Sequence, residues 1–161
     1  MAPGEHEAGR LYDAYGASLY RYAVMILGSR EAAEDVIQQV FMALLDGRAL
    51  AEEERYLRRS VRNACYSALR QQRVRSVLPM EDAFLETGPA GGAVSAEERM
   101  ALGAAILGLP ADQREVVHLH VFEGRTFKDI AETSGESLNT VASRYRYALG
   151  KMKAALTRST P

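Results

Sequence analysis

Apolar residues in this chain recur at helical spacing and seldom alternate, and that pattern points to an all-α fold. Leu11, Tyr15, Leu19, Tyr22 and Ile26 share one face at about 100° per residue, so a helix is expected over roughly residues 8–27, stopped near Gly28. A second begins at Ser29 or Glu31 and runs through EAAEDVIQQVFMALL to about Leu45, where DGRALAEEE interrupts. A third is expected over residues 53–74. Three helices make a first domain.

The stretch SVLPMEDAFLETGPAGGAVSAEE carries two prolines, three glycines and no useful helical stripe, so it reads as a flexible linker. It is too long for a loop inside a compact domain. Beyond it, AEERMALGAAILGL predicts a helix ending before Pro110, ADQREVVHLHVF another ending before Gly124, and residues 126–151 a final pair. The expected organisation is therefore two small helical domains, residues 1–75 and 97–161, joined by an acidic linker over residues 76–96.

Composition narrows the class. Of 161 residues 47% are hydrophobic and 25% charged, as in a soluble globular protein. No apolar run is long enough to span a membrane, and the first residues hold acids where a secretory signal would hold basic residues, so a cytoplasmic chain without membrane insertion is expected. The single Cys65 cannot form an internal disulfide and belongs to a packed stripe. The formal net charge of −1 hides segregation: seven arginines and no acid over residues 55–75, five acids and no base over 76–98, five bases and no acid over 137–161. Charge in blocks offers a polyanion two separate positive surfaces.

The last two helices form a helix-turn-helix pattern. Thr126 suits the cap of the first, Gly135 its left-handed end, and Ser137 the cap of the second. On that second helix Leu138, Val141, Tyr145, Leu149, Met152 and Leu156 are expected to pack, leaving Asn139, Thr140, Ser143 and Tyr147 on the opposite side, flanked by Arg144, Arg146, Lys151 and Lys153. Short polar side chains at the start of such a helix reach base edges while the cations meet phosphates. In the third helix Leu57, Val61, Ala64, Cys65 and Ala68 form the inner stripe; Arg55, Arg58, Arg59, Arg62, Arg70 and Arg73 share the outer arc with Tyr66, and Asn63 lies at its edge. Arginines around an aromatic ring suit phosphates together with an unstacked base.

Other constellations carry less. His118 and His120 point to opposite sides of a helix and cannot share a metal; His120 is expected to be a packed or bonded core residue. No phosphate-cradling glycine loop, metalloprotease helix or nucleophile elbow occurs, so neither enzymatic activity nor a cofactor or metal is expected. On these residues alone two readings are a DNA-binding regulator acting by itself and a helical adaptor that binds protein.

A third comes from a resemblance. The segments AAEDVIQQVF, RYLRRSVRNACYSALRQQR and LGLPADQREVVHLHVFEGRTFKDIAETSGESLNTVASRYRYAL resemble, in that order, the region 2 and region 4 signatures of bacterial extracytoplasmic-function (ECF) sigma factors of the sigma-70 family. The resemblance implies an alternative sigma factor that binds core RNA polymerase, through the clamp helices of its largest subunit and the flap, and directs promoter-specific initiation. Asp35, Gln38 and Phe41 match the polymerase-binding helix, where Gln39 stands for a usual glutamate; Asp35, Gln38 and Met42 also share one outward arc, with Phe41 turned toward the core. DGRALAEEE takes the place of the loop that captures a −10 base, and Asn63 matches an asparagine of the melting region. Ser137, Asn139, Thr140, Ser143 and Arg144 match the helix that reads the −35 element, with Ala142 in place of a usual lysine. The linker matches the segment that threads toward the polymerase active centre, and an anti-sigma factor is a further partner of many relatives.

Overall fold

The computed structural model describes residues 3–46, 50–71 and 95–159. Among them every regular element is helical and no strand occurs. The chain divides into two compact units, Met1–Ser76 and Val77–Pro161.

In the first unit, helices α1 (Pro3–Leu27), α2 (Arg30–Met42) and α3 (Glu53–Arg70) pack against one another, and a 3₁₀ turn (Ala43–Asp46) follows α2. α1 begins five residues before the expected start, and its inner stripe, Leu11, Leu19, Tyr22 and Ile26, is buried while Tyr15 is half-buried. From Tyr22 to Leu27 every residue is buried, because α2 and α3 close over the end of α1 from both sides. Each large aliphatic side chain so buried contributes roughly 1.5–3 kcal/mol of transfer free energy. The reversal between α1 and α2 is local chemistry. Gly28 takes φ 65°, which a Cβ would disfavour, and its N–H bonds the Val24 carbonyl. Ser29 then caps α2 by accepting the Ala32 N–H at 3.2 Å. α3 buries Leu57, Val61, Cys65 and Ala68, while Ala64 is half-buried at the margin of that stripe. The expected continuation of this helix to residue 74 lies outside the described residues past Gln71.

The described part of the second unit begins at Ser95, whose hydroxyl accepts the Glu98 N–H while the Glu98 carboxylate accepts the Ser95 N–H. This reciprocal cap starts α4 (Ala96–Leu107) inside the stretch read as linker; residues 76–94 of that stretch lie outside the described residues. α5 (Ala111–Val117) widens into a π-helical turn (His118–Phe122), and α6 (Phe127–Ser134) and α7 (Leu138–Ser159) complete the unit. α7 is its spine, packed by α4, α5 and α6. Leu109, Val117 and Ala148 form a core cluster with Tyr145 and Met152 against it.

The packed stripe of α7 differs from the expected one. Val141 and Ala148 are fully buried and Tyr145 and Met152 partly so, whereas Leu138 is 54% and Leu149 44% exposed. Those two leucines lie roughly 60–80° around the helix from Val141. The neighbours cover a narrower face than the apolar pattern spans.

Candidate nucleic-acid interfaces

The arginine face of α3 is smaller than the sequence suggests. Arg58 leaves the helix toward α1: its Nε lies 3.1 Å from the Glu54 carboxylate, a terminal nitrogen donates to the Ser18 hydroxyl at 3.1 Å, and its side chain is only 10% exposed. Arg58 is therefore a tie between α3 and α1, not a member of the exposed arc. Nor is the arc free of acids. The glutamates that precede it are drawn in one by one, Glu52 to Arg55 at 3.3 Å, Glu53 to Arg10 of α1, and Glu54 to Arg58. The Arg55 pair is solvated on both sides, so it is worth little and exchanges readily for a phosphate. Hydrogen bonds to Glu7, one turn earlier in α1, and to Glu53 raise the pKa of the Arg10 guanidinium above its usual value.

What remains outward on α3 is Arg55, Arg59, Asn63 and Arg70, with Arg62 and Tyr66 half-buried between them. The Arg62 guanidinium carbon sits 4.6 Å from the centre of the Tyr66 ring, a cation–π pair. Its planar outer side can stack on an unpaired base. Arg73, and residues 47–49 of the DGRALAEEE loop, lie outside the described residues.

On α2 the outward arc carries Asp35, Gln38, Gln39 and Met42, the last 58% exposed. Phe41 is not on it. It is 8% exposed and meets the Tyr12 ring edge to face at 5.3 Å between centroids. The expectation that Phe41 packs is met, and the ring also lines a cleft. That cleft, about 570 Å³, lies between α1 and α2 and is lined by Tyr12, Tyr20, Glu34, Ile37, Gln38 and Phe41. Tyr12 is 54% exposed, and no sequence feature singles it out.

In the second unit the caps stand as expected. The Thr126 hydroxyl accepts the Asp129 N–H at 3.1 Å, Gly135 takes φ 73°, and the N–H groups of Gly135 and Glu136 converge on the Ala131 carbonyl. The Ser137 hydroxyl accepts the Thr140 N–H at 3.1 Å and donates to the Thr140 hydroxyl at 2.9 Å. Thr126 and Ser137 thus commit their oxygens to starting helices. Asn139, Arg146, Tyr147 and Lys151 are exposed, and Thr140 and Ser143 half-exposed, Ser143 accepting from Arg146 at 3.3 Å. Arg144 departs from this set. Its side chain, 22% exposed, lies 3.3 Å from both Asp112 and Glu136.

Below this face, His120 accepts from or donates to no second histidine: its Nδ1 is 2.7 Å from the Arg125 carbonyl and its ring packs on Phe127 and Tyr145. His118 is buried, with Nε2 3.4 Å from Glu123. Among the described residues no cluster of metal-ligating side chains occurs, and no helix is long and apolar enough to cross a membrane.

Two family models match the chain in order, Sigma-70 region 2 over residues 11–75 and Sigma-70, region 4, over residues 99–152. The chain belongs to the sigma-70 family. Among relatives of this sigma factor are two ECF RNA polymerase sigma factors of Mycobacterium tuberculosis. SigL is 28% identical over 153 residues, covering 91% of this chain and 86% of the relative; SigM is 27% identical over 160 residues, covering 97% and 80%. In fold, this sigma factor is similar to the sigma factor RpoE in its complex with the anti-sigma factor NepR from Bartonella quintana, with a TM-score of 0.64 and 22% identity over 95% of this chain and 96% of that one.

Proposed function

We propose that this sigma factor is an alternative, ECF-type specificity subunit that binds core RNA polymerase and directs promoter-specific initiation. The observation that carries the reading is the pairing, on one chain, of two region matches with two outward polar and cationic helical faces, Arg59–Asn63–Arg70 on α3 and Asn139–Ser143–Arg146 on α7. In this reading the first unit meets the clamp helices of the largest subunit through Asp35, Gln38, Gln39, Met42 and the Tyr12–Phe41 cleft. Arg55, Arg59, Arg62, Asn63, Tyr66 and Arg70 hold the −10 strand, and the second unit reads the −35 element while contacting the flap. Each face alone neutralises few phosphates, so each binds DNA weakly; polymerase, by carrying both, turns the second contact into an intramolecular one. The chemistry is the polymerase's. The Tyr12–Phe41 cleft, partly apolar and open, also suits an anti-sigma factor, the partner present in the Bartonella complex.

Run-off transcription with purified bacterial core polymerase on genomic fragments tests this. Promoter-dependent transcripts should appear only when the chain is added. A chain that shifts naked DNA unaided and leaves core polymerase unchanged would instead be a regulator acting alone. Transcription indifferent to Arg62→Ala and Asn139→Ala would point to the adaptor.

A further inference from the structure

We propose that Asp112, Glu136 and Arg144 form a positioning set that fixes the angle at which α7 presents its polar face, with Arg144 acting through the two carboxylates and not as a ligand of DNA; the inference rests on the promoter-reading role given above. Arg144 Nε lies 3.3 Å from Asp112 Oδ2, in the first turn of α5, and a terminal nitrogen lies 3.3 Å from Glu136 Oε1, in the turn between α6 and α7. One guanidinium therefore joins the supporting helix, the turn and the reading helix. Glu136 is itself pinned to the end of α6, since its N–H bonds the Ala131 carbonyl.

Three considerations favour positioning over contact. A single cation faces two carboxylates, so the local balance is negative, and moving Arg144 to a phosphate would leave Asp112 and Glu136 as an uncompensated like-charge pair. Arg144 also lies about 140° around α7 from Asn139 and about 100° from Ser143, on the side of Thr140 and Lys151. Finally, α6 is eight residues long, fully buries only Ile130 and Ala131 and adds the half-buried Phe127 against Tyr145, a small contact that leaves a directional tie an orientation to set. The geometry needs the fork of arginine, because a lysine ammonium is a point charge that cannot hold both carboxylates at these positions.

The test uses the full chain, alone and assembled with core polymerase, as Arg144→Ala, Arg144→Lys, Asp112→Asn/Glu136→Gln and the triple variant. The DNA probe is a promoter duplex transcribed by the wild-type holoenzyme, with upstream-element variants of it. Arg144→Ala and Asp112→Asn/Glu136→Gln should each lose about tenfold in discrimination among those duplexes, the size of one misplaced base contact, and the triple variant should lose no more. Arg144→Lys should not restore it, and the salt dependence of binding should stay at the wild-type slope. The proposal is overturned if Arg144→Ala lowers that slope by about 0.9, the mark of one lost phosphate contact, while neutralising the carboxylates tightens binding. A second arm needs no DNA: hydrogen exchange at the amides of Thr140 and Val141 in the free chain should quicken several-fold in Arg144→Ala and in Asp112→Asn/Glu136→Gln alike. Unchanged exchange in both overturns the tie. A wild-type chain that supports no promoter-specific transcription would refute the sigma reading, and the exchange arm would still decide whether these three residues hold α7.

Discussion

Replacing Arg58 and replacing Arg59, adjacent in sequence, should break different things. Arg58 is bound to Ser18 and Glu54 and mostly enclosed, whereas Arg59 is exposed. The hydrogen bond from a charged donor to Ser18 is worth ~1.5–3 kcal/mol. The i,i+4 pair with Glu54, whose carboxylate is 44% exposed, adds only ~0.3–0.5 kcal/mol after solvent screening. Arg58→Ala should therefore cost about 2 kcal/mol of first-unit stability, or roughly 10 °C in melting temperature for a unit of this size. The single thiol, Cys65, is fully buried in that unit, so its reaction with a thiol reagent during heating reports the unfolding of the first unit specifically. Arg59→Ala should leave the melt within about 0.5 kcal/mol of wild type and lower the salt slope of holoenzyme binding by about 0.7–0.9. Should Arg58→Ala melt like wild type and lower the salt slope as Arg59→Ala does, the assignment of Arg58 to the α1–α3 contact would be wrong.

Three further outcomes follow from the same geometry. Asn139→Ala should reduce upstream-element selectivity by ~1–3 kcal/mol if its amide makes a bidentate base contact, read from transcription on matched promoter variants; equal preference among the variants would remove it from the reading face. Asn63→Ala should slow open-complex formation more than initial binding, so permanganate reactivity of the melted strand should lag while polymerase occupancy does not, and parallel changes in both would count against it. Met42→Ala should weaken association with core polymerase at unchanged first-unit stability, whereas Phe41→Ala should destabilise that unit by about 3–5 kcal/mol, lowered by whatever collapse its half-open cleft allows; a Phe41 variant with a wild-type melt would show that the ring is not part of the core.

In each unit one arginine of the cationic helix is drawn into internal pairs, Arg58 in the first and Arg144 in the second, and the cations that stay outward stand beside short amides and hydroxyls. A surface of this kind adds little indiscriminate attraction for a polyanion. Internal pairing of Glu52, Glu53 and Glu54 with Arg55, Arg10 and Arg58 works in the same direction at the start of α3.

The helix caps were the most legible part of this chain. Gly28, Ser29, Thr126, Gly135 and Ser137 act through bonds that span three to five residues, so the residue types in order carry the whole interaction. The all-α class, the cationic arc of α3 and the polar side of α7 were readable for a similar reason, since periodicity places residues on faces before any neighbour is known. Which part of a face is covered was not readable. Leu138 and Leu149 fall within the apolar stripe by pattern, yet α4, α5 and α6 meet α7 along Val141 and Ala148, and only the packing of those helices determines that line. The roles of Arg58 and Arg144 were hidden in the same way. Ser18 lies forty residues before the first and Asp112 thirty-two before the second, and a charge declares itself structural only when folding brings such distant partners within hydrogen-bonding range.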